Sequence, residues 1–300
     1  MPHLVRPEYR ENRHAVPHTA EHRHIWRVGH EVGARAVTDA GALLEMVDAV
    51  TVAVPTESHA DVAKPFLQAG IPVLVEKPIA ASIAQADVMI NAAEESDVIL
   101  AVGHSERYNP AIATARSLVL EPRFVEVHRL AAFPARGLDV DVVFDVMIHD
   151  LDVLLALVPS EPASVEAVGV SVLSDRVDLA NARVRFENGC LANLTASRIS
   201  RERVRRLRFF QPDSLIMVDC AARQVEAWRV MRAPGQEPTI SGGPVDVPVG
   251  EPLERELSDF VTAVRTGRAP DVDGRAGRRA LALAERIAAA IDHEQRRWDH

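Results

Sequence analysis

The sequence predicts an α/β protein, in which a parallel sheet with covering helices is followed by an α+β domain with a large, mostly antiparallel open sheet. Residues 49–102 alternate short apolar runs with amphipathic stretches, in the order strand–helix–strand–helix–strand. That order implies parallel strands joined by right-handed crossovers. From residue 164 to residue 230, strand patterns follow one another directly. A chain of 300 residues is also long enough for about two domains.

Composition narrows the class of protein. Hydrophobic residues make up 47% of the chain, as expected for a globular protein, and the net charge of −9 argues against a nucleic-acid partner. No apolar run approaches the ~18 residues of a membrane span, and the N-terminus shows no apolar signal core. Cys190 and Cys220 lie in strand-like apolar surroundings. We interpret them as free buried thiols of a cytoplasmic protein.

Residues 1–29 form an atypical segment, rich in Arg, His, Pro and Glu, for which disorder is one interpretation. Four histidines at and near its end raise the alternative of a metal-dependent hydrolase; they are His18, His22, His24 and His30. Solvated side chains are the favoured interpretation, because no cysteine or carboxylate pattern accompanies them. We therefore expect no metal site.

A dinucleotide-binding type of domain is predicted over residues 30–122, with its first strands missing. Gly70 closes one predicted helix, and Ser82 with Gln85 forms a capping-box pattern before the next. The predicted elements are a short helix over 41–46, a strand over 49–54, a helix over 58–68, a strand over 73–76, a helix over 83–93, a strand over 98–102 and a helix from 110 to about 120.

Lys77 is placed at the rim of this sheet. The apolar run from Val73 ends in Glu76, Lys77 and Pro78. Pro78 disfavours helical geometry at Lys77, so the lysine leaves the sheet at its carboxyl end, where ligands of α/β sheets bind. The rim at Pro55 opens on the same edge. An ordinary polar strand end is the alternative interpretation of Glu76 and Lys77.

A second polar group lies on a buried helix over residues 144–157. Asp145 and His149 are four residues apart and therefore share a face. A carboxylate in that position can fix the tautomer of an imidazole and raise its basicity. The alternative is a core histidine satisfied by a neighbouring aspartate.

The remainder, residues 123–300, is predicted to be an α+β domain for substrate binding and oligomerisation. Glu187-Asn188-Gly189 indicates a hairpin, and the arginine-rich stretch 201–208 is interpreted as the solvated face of a sheet. Predicted strands cover 125–130, 182–186, 190–196, 215–218 and 225–230, and helices cover 251–264 and 278–291. Gly267 is expected to end the first of these helices.

These motifs together resemble the Gfo/Idh/MocA oxidoreductases, from about residue 30 to residue 291. The residues that carry the resemblance are Val54-Pro55-Thr56 with His59, then Glu76-Lys77-Pro78, then Gly103 to Pro110, then Asp145 with His149. Glu-Lys-Pro alone is a weak signal, but followed by an Asp-x-x-x-His helix it is specific.

The resemblance implies an incomplete Rossmann-type parallel sheet, NAD or NADP as cofactor, and hydride transfer to or from a sugar or nucleotide-sugar carbon. It implies Lys77, His149 and Asp145 as catalytic residues, and Pro55, Thr56, His59, Glu76 and Lys77 as cofactor-binding residues. It implies a cis Lys77–Pro78 bond and a homo-dimer or homo-tetramer. A UDP-linked N-acetylhexosamine is the expected substrate, with Arg107 and Arg198 as candidate ligands of its phosphate groups.

The chain departs from that pattern at its start. No Gly-x-Gly-x-x-Gly turn and no acidic residue on a second strand are found, and the first glycines read Val-Gly-His-Glu-Val-Gly over residues 28–33. A shifted start of the reading frame is one explanation. The other is loss of cofactor binding, which leads to the alternative function of a non-catalytic sugar-binding or assembly subunit.

Overall fold

The computed structural model describes residues 31, 33–132 and 140–298. The atypical segment 1–29 and the four histidines singled out above lie outside these residues, so the predictions made for them are not addressed by the fold.

The first sheet is parallel, as predicted, and its described part contains three strands in the order β1-β2-β3. The β-branched apolar runs of the sequence form these strands, which are β1 (Val50–Val52), β2 (Val73–Glu76) and β3 (Leu100–Gly103). In the register, Val52 lies opposite Val75 and Glu76 opposite Gly103. The carboxyl ends of the strands therefore meet at one edge.

Two helices connect these strands, α1 (His59–Gln68) and α2 (Ile83–Glu95). The predicted capping pattern forms in a shifted version, because Ser82 Oγ accepts the N–H of Gln85 at 3.3 Å, whereas Gln85 Oε1 accepts the N–H of Ala81, one residue before the N-cap, at 3.2 Å. The short helix predicted over 41–46 is a 3₁₀ helix, Ala40–Glu45.

The second sheet has eight strands in the order β11-β10-β9-β8-β4-β7-β6-β5. Its neighbouring strands are antiparallel except β4 and β7, which are parallel. The strands are β4 (Phe124–Leu130), β5 (Pro162–Val170), β6 (Leu179–Phe186), β7 (Leu191–Ser197), β8 (Val204–Phe210), β9 (Ser214–Asp219), β10 (Gln224–Met231) and β11 (Thr239–Val245). The predicted hairpin at Gly189 is confirmed, with a φ of 85° that glycine adopts readily. Sequence patterns missed β11, because Gly242, Gly243 and Pro244 are residue types depleted in strands.

The remaining helices lie between and after these strands. They are α3 (Pro110–Arg116), α4 (Ile148–Leu157), α5 (Pro252–Thr266) and α6 (Gly274–Trp298). One π-helical turn, Val143–Met147, leads directly into α4. α3 ends at Arg116, earlier than the predicted end near residue 120. Gly267 ends α5 in the left-handed conformation, as predicted, with a φ of 70°.

The end of the chain joins the two sheets. The N–H of Val102 donates to Val272 O at 3.0 Å, and Ala101 pairs with Asp273 beside β3. Leu281 packs in the core of the first domain, whereas Leu283 packs in the core of the second. The predicted boundary near residue 122 stays a prediction, and α6 contributes to both cores.

Two further predictions concern the cysteines and the presence of a membrane-spanning helix. Cys190 and Cys220 are free and buried, as predicted. Among the residues the structure describes, no helix is both long and apolar enough to cross a bilayer.

Candidate active site

Lys77 leaves the end of β2 and reaches across to the π-helical turn of the second domain. Its Nζ donates to the carbonyl oxygen of Asp145 at 2.7 Å and to Asp145 Oδ1 at 3.2 Å. The lysine side chain is 18% exposed and that of Asp145 is 40% exposed. The Lys77–Pro78 peptide is cis, as the resemblance implied. The ammonium group is thus held in place while part of it stays accessible.

His59 fastens the turn that carries Lys77. Its ring is buried, with Nδ1 at 3.0 Å from Pro78 O and Nε2 at 2.9 Å from Val54 O. These contacts tie the end of β1 to the segment after β2. In this structure His59 therefore acts on the position of Lys77, and its predicted contact with a dinucleotide stays a prediction.

His149, one residue into α4, lines the same cavity as Lys77. Burial lowers the pKa of His149 well below its ordinary value, and the positive charges of Lys77 and Arg129 lower it further. Nδ1 of His149 has no hydrogen-bond partner among the described residues, so the structure does not show the expected pairing of Asp145 with this imidazole. The reason is geometric, because the carboxylate of Asp145 is bound to the Lys77 ammonium. His149 is accordingly neutral at physiological pH and able to accept a proton.

His104 lies beside His149 and is fully buried. Burial lowers its pKa, Asp152 opposes this effect, and Arg107 and Lys77 add to it. Neither of its ring nitrogens has a hydrogen-bond partner among the described residues. Sequence reasoning did not single out His104, although it lies within the stretch Gly103 to Pro110 that carries part of the resemblance.

A buried ion network forms the floor of the cavity. The guanidinium of Arg129 donates to Asp150 twice, at 2.7 Å each, and to Glu106 Oε2 at 2.8 Å. Burial works against the charge of Arg129, but Asp150 and Glu106 outweigh it and raise the pKa of Arg129. Sequence reasoning missed this network, although a signal was present. Period-two alternation places Arg129 on the same buried face of β4 as Val125 and Val127, and a buried arginine needs an anionic partner.

These side chains surround a cavity of about 270 Å³. Its lining includes Lys77, Asp145 and His149, and also Glu106, Arg129 and Arg205. It therefore combines a neutral base with a fixed cation. Such a pair can remove a proton from a hydroxyl group and stabilise the oxyanion that results.

Comparison with known proteins shows the family to which this chain belongs. Residues 14–104 match the sequence profile of an oxidoreductase family with an NAD-binding Rossmann fold, and residues 121–211 match the GFO/IDH/MocA C-terminal domain. UDP-N-acetylglucosamine 3-dehydrogenase of Acidithiobacillus ferrooxidans is 40% identical over 269 residues, which are 88% of this chain and 85% of that protein. The chain belongs to the Gfo/Idh/MocA family. The matched region begins at residue 14, inside the segment that showed no apolar pattern and ahead of the predicted start of the resemblance.

Solved structures of Gfo/Idh/MocA proteins agree with the fold. A structure of the Acidithiobacillus ferrooxidans enzyme superposes with a TM-score of 0.85 at 38% identity, covering 91% of this chain and 88% of that one. Levoglucosan dehydrogenase in complex with NADH has a TM-score of 0.80 at 16% identity, covering 91% of this chain and 86% of that one, and shows the fold alone. The protein is thus an NAD-binding oxidoreductase by family.

The residues predicted to contact a dinucleotide lie at the carboxyl edge of the first sheet, where their placement is compatible with such a cofactor. Pro55 and Thr56 follow β1 with accessible side chains, at the sheet edge where Lys77 also lies. Dinucleotides bind along this edge in parallel sheets of the Rossmann type. The carboxylate of Glu76 accepts the N–H of Lys77 at 3.2 Å and closes over Gly103, where a Cβ would lie 3.1 Å from Glu76 Oε2. The roles of these residues toward the cofactor stay predictions.

Two arginines predicted to bind substrate have other partners. Arg107 donates to both carboxylate oxygens of Asp152, at 2.9 and 2.6 Å. Arg198 is 1% exposed and donates to Asp178 at 2.8 Å and to Val140 O at 2.7 Å. Because both guanidinium groups are engaged in buried ion pairs, the geometry does not support their predicted role on a substrate phosphate.

Proposed function

We propose that the protein oxidises the C3 hydroxyl group of UDP-N-acetylglucosamine, or of a closely related UDP-N-acetylhexosamine, with NAD or NADP as hydride acceptor. The observation that carries the proposal is the convergence of Lys77 and His149 on one cavity at the carboxyl edge of an NAD-binding domain. The choice of sugar is supported by the 40% identity to a UDP-N-acetylglucosamine 3-dehydrogenase.

In the proposed mechanism, neutral His149 accepts the proton of the hydroxyl group through Nε2. Its Nδ1 is enclosed, so Nε2 is the nitrogen that can reach the cavity. The Lys77 ammonium lies beside the same oxygen and stabilises its developing negative charge. Asp145 holds Lys77 through its carbonyl and carboxylate oxygens. The nicotinamide, when bound, supplies the acceptor for the hydride.

The reaction can be tested with substrate labelled at one carbon. We expect UDP-N-acetylglucosamine carrying deuterium at C3 to pass its label to the nicotinamide and to show a primary isotope effect. Substrate labelled at C4 serves as the matched control and should do neither. Transfer from C4, or turnover of free inositols with no turnover of the UDP-sugar, would contradict the proposed substrate.

Cofactor binding separates the proposal from its rival. Calorimetric titration of the 300-residue chain with NADH and with NADPH measures it directly, and also decides which cofactor is preferred. We expect micromolar binding of at least one. Binding of the UDP-sugar by a folded protein that binds neither cofactor would instead support the non-catalytic sugar-binding subunit.

We also infer a homo-dimer or homo-tetramer formed through the open face of the second sheet. On its last strands Ile240 is 72% exposed and lies opposite Val230, on the face away from the core that Val225 and Ala227 contact. Apolar side chains of this kind favour contact with another surface. Light scattering of the purified protein tests this assembly.

We also propose that the protein is cytoplasmic, because its two cysteines are free and buried.

A further inference from the structure

A second cavity of about 270 Å³ adjoins the active-site cavity. The two share Ser105, Glu106 and Arg205 as lining residues. Two cavities of this size together fall within the range of about 300–1,000 Å³ that is typical of small-ligand sites. A ligand longer than a monosaccharide can therefore occupy both at once.

Arg205 lines both cavities, and the positive charge of its guanidinium group is only partly neutralised. Its Nη1 lies 3.6 Å from Glu106 Oε2, whereas Arg129 holds that same oxygen at 2.8 Å. Its guanidinium group makes no hydrogen bond to any described residue, although it carries five N–H donors. Burial lowers the pKa of Arg205, and the neighbouring charge of Arg129 lowers it further. Both effects disfavour the cation until an anion approaches it.

Two more arginines line this second cavity. Arg203 is exposed, and its side chain has no ion pair or hydrogen bond within the described part of the chain. Arg223 donates to Glu251 at 2.8 Å and is therefore partly neutralised. Among the lining residues Glu106 is the single carboxylate, and it is already bound to Arg129. The cavity thus presents a net positive charge.

We propose that this second cavity binds the diphosphate group of the nucleotide sugar, with Arg205 and Arg203 as its ligands. The sugar then lies in the adjoining cavity beside Lys77 and His149. This assignment rests on the proposed function for the identity of the substrate. Guanidinium groups suit the task because their paired N–H donors match two phosphate oxygens at once. The arginines of β8 lie on both faces of the sheet. Arg205 faces inward, whereas Arg206 and Arg208 lie on the open face.

The test measures the binding of UDP, UMP and uridine to the full chain by calorimetry. We compare the native protein with the variants Arg205→Gln and Arg203→Gln, which remove the charge and keep most of the stem. Arg208→Gln is the matched control, because it removes the same charge from the same strand on the opposite face. We expect UDP to bind at least tenfold more tightly than uridine, and its Kd to rise about 10- to 100-fold in Arg205→Gln. Arg208→Gln should leave the Kd within about twofold.

Turnover gives a second readout. For Arg205→Gln and Arg203→Gln we expect a higher KM for UDP-N-acetylglucosamine with a smaller change in kcat, because the contact is remote from the reacting carbon. Binding of NADH should not change in either variant. Arg203 is exposed, so its variant is expected to fold even if Arg205→Gln does not.

The outcomes separate this assignment from the proposed reaction. Equal binding of UDP and uridine by the native protein would overturn the diphosphate site, and so would unchanged UDP binding in both variants. If UDP binds as expected but no UDP-sugar is oxidised, the site stands and the proposed reaction fails. If sugars are oxidised but UDP does not bind, the reaction class stands and the site fails.

Discussion

The ring of His104 lies edge-on against the ring of His149, with centroids 6.5 Å apart and an interplanar angle of 89°. Both nitrogens of His104 and Nδ1 of His149 are buried without a hydrogen-bond partner among the described residues. The proposed base is thus held by a ring contact on one side, while its residue lines the cavity.

The contact between these rings predicts the stability of a His104→Phe variant. A buried polar group without a partner costs about 1–3 kcal/mol, and phenylalanine keeps a ring while removing both nitrogens. We expect the free energy of unfolding, measured with urea, to equal or exceed that of the native protein. His104→Ala is the control and should lose about 3 kcal/mol through the cavity it creates. A loss of more than about 1 kcal/mol in His104→Phe would reveal a hydrogen bond that His104 makes in solution.

Replacement of Lys77 tests the proposed stabilisation of the oxyanion. In Lys77→Met we expect kcat to fall by about 10²–10³, as for removal of an oxyanion donor. The chain contains two lysines, and Lys64, exposed on α1, supplies the matched control. Lys64→Met should keep full activity. A Lys77→Met variant that retains more than about a tenth of kcat would exclude Lys77 from the chemical step.

The pH dependence of His149 follows from the cause of its shift. Burial lowers its pKa below 6.5, and the charge of Lys77 contributes. The acid limb of kcat/KM should therefore lie well below pH 6.5, since His149 acts as a base only when neutral. Loss of the nearby cation must raise the pKa, so the histidine NMR titration should move to higher pH in Lys77→Met. His149→Gln assigns the resonance among the twelve histidines. An unmoved titration would contradict the coupling.

Glu256 on α5 predicts a pH-dependent stability. It is 2% exposed, Oε2 has no described partner, and burial together with the charge of Glu76 raises its pKa from 4.5 to about 7. Between these values the native state holds a proton that the unfolded chain has released, so stability falls as pH rises through this window. Above it, Glu256→Gln should be more stable than the native protein by about 3 kcal/mol, at 1.36 kcal/mol per pKa unit.

Urea unfolding at about pH 4 and about pH 8 measures this difference for Glu256. The two proteins should converge at the lower pH, where the native carboxyl is neutral in both states. Glu254→Gln, on the exposed side of the same helix, is the control and should show no such divergence. Equal stability of Glu256→Gln and native protein at the higher pH would contradict the raised pKa.

Replacement of Arg198 separates a structural role from a substrate role. Arg198→Met leaves Asp178 as a buried anion without its ion-pair partner, and breaking such a pair costs about 3–5 kcal/mol. We expect a loss of this order in the free energy of unfolding and an unchanged KM at a temperature where the variant is folded. The exposed Arg208→Met is the control and should lose less than about 1 kcal/mol. An increased KM at unchanged stability would restore the predicted contact with substrate.

The sequence by itself determined most of the secondary structure and the positions of Lys77, Asp145 and His149 along it. Periodicity and turn residues are local, so β2 ending at Lys77, the capped helix α2 and the hairpin at Gly189 could be predicted. The same patterns placed Asp145 and His149 at the start of one buried helix and indicated the family. β11 and the π-helical turn were not predictable, because glycine-rich strands and widened turns leave no periodic signal.

Only the tertiary structure decided which of these groups meet. Lys77 and Asp145 are 68 residues apart, and their contact depends on how the two domains pack. That contact removes the carboxylate from His149 and leaves burial and positive charge to lower the pKa of the histidine. Packing likewise engages Arg107 and Arg198 in ion pairs and leaves Arg205 facing a cavity. The physical reason is that burial and electrostatic interaction depend on distance in space, which a local pattern of residues does not encode.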